Sequence, residues 1–310
     1  MRAAGAQNKR AHKDLLPVIL YTAVDTIKRH EGVVRGLRFA KMVIHIHREL
    51  EAAGHLLRLP RRWYLYGEVP EVWDTPCAGS LEITDPDDEL DSIVRWIGRP
   101  PKLTGHGLEH EIREMARRFE ERFGDETLIP DMLREHYRPA PLEFQRAMLE
   151  FWLMVQEIRN YHSPDDQRRT IDTFDRVIRS YDRSAVEIEP RLQTIFMSLS
   201  LLEKMRLATR QVGDVAELLD IHSDVWGFWK KFCRFLSVKR SCDISETRLE
   251  RYRTRAEREL GPYLAAMPQI ISIKFERLAQ NHPIDTMLAS EAILQRDWSS
   301  KEEADAWANL

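Results

Sequence analysis

The sequence predicts a mainly α protein built as two helical lobes, bundle-like. Three observations carry this: apolar residues recur at helical spacing along most of the chain, glycines stand at or just past the ends of the early periodic segments, and alternating strand patterns are scarce. At 310 residues, the chain is long enough to bury a substantial core in two domains or one large helical one.

In chain order, the apolar run at 15–24 continues into VDTIKRH as an amphipathic helix near 13–30, with Gly32 as its stop. Arg2, Lys9, Arg10 and Lys13 lend this start the look of a signal peptide. Asp14 and Pro17 interrupt that pattern, and no small-x-small cleavage site follows. Helices are expected next near 36–54, 87–98, 107–123 and 142–161, with Gly54, Gly98 and Gly124 at or past their ends. Short extended pieces are expected only at residues 63–67, WYLYG, and 80–84, SLEIT.

Two prolines in RPAPLE, 138–143, interrupt the helical pattern and set the expected boundary between domains 1–138 and 139–310. Ser163 as an N-cap and Pro164 at the first helical position open a helix near 164–181, followed by helices near 187–211, 214–238, 245–266 and 268–281. In the 214–238 segment Leu218, His222, Val225, Trp229, Phe232 and Leu236 share a face that Trp226 and Phe228 widen, which marks the central helix of the second domain. Lys230, Lys231 and Arg234 mark its exposed side. There is no fixed-period repeat.

Charge and cysteine usage exclude several classes. Lys plus Arg number 47 against 50 Asp plus Glu, so the net charge of -3 supplies no general attraction to nucleic acid or anionic lipid, and nucleic acid binding would need a local patch. The Arg-rich stretch 248–259 carries Glu250, Glu257 and Glu259 among its arginines and reads as an ion-paired, solvated face. Cys77, Cys233 and Cys242 form no C-x-x-C and are odd in number, which fits a reducing cytoplasm without a disulfide framework. No run of 18 apolar residues occurs, so no membrane span is expected.

The densest aromatic and basic stretch is RLPRRWYLYGEVPEVW, 58–73. Trp63 is expected to fill a core corner and Tyr66 to make a contact beside a turn at Gly67; Trp63, Tyr64, Tyr66 and Gly67 form the candidate interaction site. A helix rich in Lys, Ile and Val, a short connection, and a tryptophan-tyrosine-x-tyrosine-glycine turn resemble the Panacea domain of SocA-like antitoxins over about residues 36–75. The family commonly places proline after that glycine, where this chain has Glu68 and delays its proline to Pro70. The resemblance implies a small helical module for toxin neutralisation or other regulated protein contacts, with no catalytic residues.

Two catalytic constellations stand beside this reading. His106 and His110, four apart, share a face if the helix already includes position 106, and DPDDELD at 85–91 is a source for a third ligand; two ligands are not a site, so no metal or cofactor is expected. His45 and His47 point about 200° apart on a helix and cannot chelate together. Proteins of the HEPN family pair an Arg with a His across four to six intervening residues for RNA cleavage, and Arg277 with His282 fits at the shortest such spacing. Arg38 with His45, Arg48 with His55 and Arg99 with His106 fit it too, and Pro283 places His282 at a helix end. RNYH at 159–162 brings its histidine too early. Phosphate-binding glycine loops and the hydrolase elbow have no candidate. The expected function is a non-enzymatic regulatory or interaction protein with a protein partner, in an antitoxin or defence setting. The alternatives are a HEPN-like metal-independent ribonuclease and, after it, a metal-dependent hydrolase.

Overall fold

A computed structural model describes residues 15–55, 57–84, 92–101, 108–160, 166–208 and 215–281. The protein is mainly α, with ten α-helices and two small antiparallel sheets among the described residues. None of those helices is long and apolar enough to cross a membrane. The chain divides into two compact units: Met1–Ala140 with Cys233–Thr254, and Pro141–Phe232 with Arg255–Leu310. The first cut falls at the proline-flanked segment where the sequence placed its boundary. The return of 233–254 to the first unit departs from the expected split of 1–138 and 139–310.

In the first unit, α1 (Leu15–Glu31) packs on α2 (Gly36–Ala52). It stops because Gly32 takes φ +74 and donates its amide to the Lys28 carbonyl at 2.9 Å, a left-handed cap that a Cβ would strain. The chain then makes β1 (Arg61–Tyr64) and β2 (Gly67–Pro70), a hairpin pairing Trp63 with Glu68, followed by β3 (Leu81–Ile83) and β4 (Val94–Trp96), which pairs Leu81 with Trp96. Next come α3 (Leu108–Phe123) and α4 (Ile129–Tyr137). Ile112, Met115, Ala116, Phe119 and Phe123 form the buried stripe of α3, at the spacing that turns one helical face to a core. Arg38 of α2, itself buried, donates to the Glu31 carboxylate and to the Phe123 carbonyl, joining the ends of α1 and α3.

Two expectations for this half are corrected. The helix expected at 87–98 is strand β4 over the part that the structure describes; residues 85–91 lie outside the described residues. Ile93, Val94, Trp96 and Ile97 were an apolar cluster without a clear period, and β-branched residues of this kind suit a pleated surface once a partner strand is available. Helix α4 was not expected at all, although Pro130 in its first turn and Asp131 beside it are helix-start signals.

The second unit contains α5 (Glu143–Asn160), α6 (Asp166–Arg179), α7 (Arg183–Ile188) and α8 (Leu192–Ala208), with most of α9 (Val215–Lys239) and of α10 (Glu246–Asn281). Its core is centred on Phe144, whose ring meets Tyr181, Phe196, Trp229 and Phe232 edge-on at centroid distances of 5.0 to 5.6 Å. Phe228, Trp229 and Phe232 are almost wholly buried, as the periodicity of the α9 segment requires. Between α9 and α10, β5 (Ser241–Cys242) returns to the first unit and adds to β1, giving the order β2-β1-β5.

The two helices expected at 245–266 and 268–281 are one. Pro262 and Pro268 lie inside α10 on its exposed side, where water can take over the hydrogen bonds the prolines cannot make. Ala256, Leu260, Met267 and Leu278 keep a single buried stripe across both prolines, which favours a continuous helix over a break.

Candidate binding groove

The aromatic turn singled out in the sequence is a buried corner. Trp63, Tyr64 and Tyr66 are 7%, 3% and 6% exposed, and Gly67 is buried with φ +108. Tyr137 from α4 donates its hydroxyl to the Leu65 carbonyl at 2.6 Å and meets the Trp63 ring edge-on at 5.9 Å. Lys41, fully buried, donates to the Glu68 carbonyl at 3.0 Å. The Glu68 carboxylate accepts from Arg48 at 3.0 Å and Arg61 at 2.8 Å, so the residue that departs from the Panacea pattern anchors two arginines. On β1, the Arg62 guanidinium lies between the rings of Tyr64 and Tyr252, at 4.8 and 4.7 Å. Tyr252 donates its hydroxyl to buried Glu71, and burial raises its phenol to about 12. The contact surface expected at Trp63, Tyr64, Tyr66 and Gly67 is corrected accordingly: these side chains are spent on the core and leave almost nothing for a partner to touch.

The other sequence candidates do not assemble into a site. His110 is exposed in the first turn of α3, whereas His106 and the acidic run 85–91 lie outside the described residues. Among the described residues no group of three or more His, Cys, Asp or Glu is placed to hold a metal ion. Arg277 is exposed near the end of α10, and His282 lies outside the described residues. His47 is a core histidine, with Nε2 3.0 Å from the Leu57 carbonyl, and His45 rests against Phe119; burial lowers the pKa of both.

A concavity of about 490 Å³ opens instead between α1, the 32–34 connection and β4. Tyr21 and Val24 of α1 line it, and Trp96 of β4 meets Tyr21 edge-on at 5.5 Å. The Trp96 indole donates to the Arg99 carbonyl at 3.2 Å, which fixes the ring. Val33 and Ile97 line it too and are 49% and 63% exposed, among the most exposed large apolar residues described. Asp25, Lys28 and Arg95 supply its charges. The size and the mixture of aromatic walls with a few polar groups suit binding. None of these side chains forms a nucleophile-base pair or a carboxylate pair of the kind catalysis needs. Sequence reading missed the groove because its parts come from α1, a connection and a strand taken for helix; the adjacent apolar residues of SIVRWIG were the available signal.

The second unit holds a charged cluster as well. Arg206 donates to both oxygens of fully buried Glu203, at 3.0 and 3.1 Å, and to Asp220 at 2.9 Å, while Lys274 donates to Asp220 at 3.0 Å and to Asp224. Burial pushes the Glu203 carboxyl up to about 8, against the pull of Arg206. These groups answer one another across α8, α9 and α10, which is what internal tethering requires. No protein-family model, curated protein or solved structure matches the chain.

Proposed function

We propose that the chain is a non-enzymatic interaction protein that holds a protein partner in the groove between α1 and β4. The single observation that carries this is the placement of exposed Val33 and Ile97 on a concavity walled by Tyr21 and Trp96. Exposed apolar side chains gathered at a concavity mark contact sites far more often than the same residues scattered singly. The Panacea resemblance over about residues 36–75 supports a regulatory role of the antitoxin or defence type, and the groove lies in the same unit as that segment.

The test is affinity capture from the native host with two tagged full-length baits, the wild type and a Val33→Asp/Ile97→Asp double variant, both checked for the same melting temperature. A stoichiometric protein held by the wild type and lost from the variant is expected, and a toxin-like product of an adjacent gene would identify the setting. Equal recovery on both baits would remove the groove from the reading, and recovery of cleaved RNA would turn it toward the HEPN-like ribonuclease.

A further inference from the structure

We propose that the occupant of the groove is an extended polypeptide segment that pairs with the edge of β4 at Trp96, setting an apolar side chain against Tyr21 and Trp96 and an acidic one toward Lys28. This rests on the reading of the groove as the docking site and adds the backbone conformation and chemistry of what docks there.

The hydrogen-bond register of β4 shows where its backbone points. Ile97 donates its amide to Ser80 at 2.9 Å, and Ile93 accepts from Thr84 at 3.0 Å, so by the two-residue alternation of an antiparallel ladder Ile93, Arg95 and Ile97 face β3. Val94 and Trp96 face the other way. Val94 is already engaged there, donating to the Val34 carbonyl at 2.9 Å, and the Gly36 amide reaches Ser92 at 2.7 Å. The chain therefore begins a third strand beside β4, with a single bridge from Arg35 to Ile93. It does not extend that strand as far as Trp96, because only Val33 separates Val34 from the glycine cap of α1, where the backbone turns away into the helix. By that alternation the amide and carbonyl of Trp96 point away from β3, to the side of the 32–34 connection that also lines the groove, and neither meets a backbone partner there among the described residues.

A peptide continuing the track of Val34 and Arg35 would supply that partner. The groove follows residues 93–98, which a fully extended segment of similar length spans in roughly 20 Å. Main-chain pairing supplies affinity in this mode and pockets for alternate side chains supply specificity. The charges select the sign. Asp25 is held by Arg29 at 2.7 Å and Arg95 lies 3.8 Å from Glu82, whereas Lys28 has no ion-pair partner among the described residues. An acidic side chain on the incoming segment answers Lys28.

The probe is a display library of random peptides about twelve residues long, selected on the immobilised full chain, followed by titration of the enriched synthetic peptide. Expected are sequences with apolar residues at alternate positions and an Asp or Glu. Their affinity should fall about tenfold or more with Ile97→Asp and with Lys28→Glu, and by a similar factor on N-methylation of alternate amides only. Enriched peptides that lose affinity with Ile97→Asp, yet are helical in spacing or indifferent to N-methylation at every position, would overturn strand pairing and leave the groove as a docking site. Peptides indifferent to Ile97→Asp, or no enrichment, would overturn both.

Discussion

The Tyr137 hydroxyl donates to the Leu65 carbonyl at 2.6 Å across 72 residues of chain, and the same ring closes edge-on over Trp63. Helix α4 thereby clamps the turn between β1 and β2. Truncation of Trp63 or of Tyr66 to alanine is expected to destabilise the isolated protein by about 3 to 5 kcal/mol each, because both rings are buried. Tyr137→Phe keeps the packing and removes one buried hydrogen bond, so about 1 to 2 kcal/mol is expected. Urea unfolding of the three variants measures this. A Tyr66→Ala protein as stable as the wild type would return that residue to the role of a contact.

Gly67 has φ +108, and a Cβ placed there would stand 3.0 Å from Cε2 of Tyr137 and 3.3 Å from the Lys41 ammonium. Gly67→Ala combines left-handed backbone strain with a clash against a ring that cannot retreat, since its hydroxyl is tied to Leu65. A loss of more than about 1 kcal/mol is expected. By contrast Gly54, with φ +89 and open space around its Cβ position, should show the backbone cost alone when changed to alanine, and the difference between the two urea midpoints isolates the clash.

Glu203 makes stability depend on pH in a direction opposite to that of an ordinary ion-paired carboxylate. Its native carboxyl titrates at about 8, above the reference value of 4.5, because burial outweighs the attraction of Arg206. Between those values the native state holds a proton that the unfolded chain releases, so this group's contribution declines as pH rises through that window. Glu203→Gln, neutral at every pH, should flatten the decline between pH 6 and 8, and parallel unfolding profiles for variant and wild type would show that Glu203 ionises normally. The buried histidines His45, His47 and His136 of the first unit act with the other sign. Burial holds His136 well below its ordinary 6.5, so acid protonates the unfolded chain first and stability falls as pH drops below that value.

Elemental analysis of the purified protein should find no stoichiometric zinc, manganese or iron. Occupancy near one ion per chain, lost when His106 and His110 are both changed to alanine, would restore the metal-dependent hydrolase.

The helical class of this protein was legible from periodicity alone, because a buried helical stripe repeats every three or four residues whatever it packs against. The stripe of α3, the aromatic face of α9 and the glycine stop of α1 are all local patterns, and each is written in fewer than thirty consecutive residues. The tertiary structure alone decided the rest. Whether SIVRWIG is helix or strand depends on a partner at 81–83 and a bridge to Arg35. Whether Pro262 and Pro268 break α10 depends on a stripe of burial that spans both. The groove depends on Tyr21, Val33 and Trp96 meeting from three separate segments, and the burial of the turn at Gly67 depends on Tyr137 and Lys41 closing over it. Period and capping are properties of short segments, whereas strand partners, concavities and the exposure of an aromatic ring are properties of distances between segments far apart in the chain.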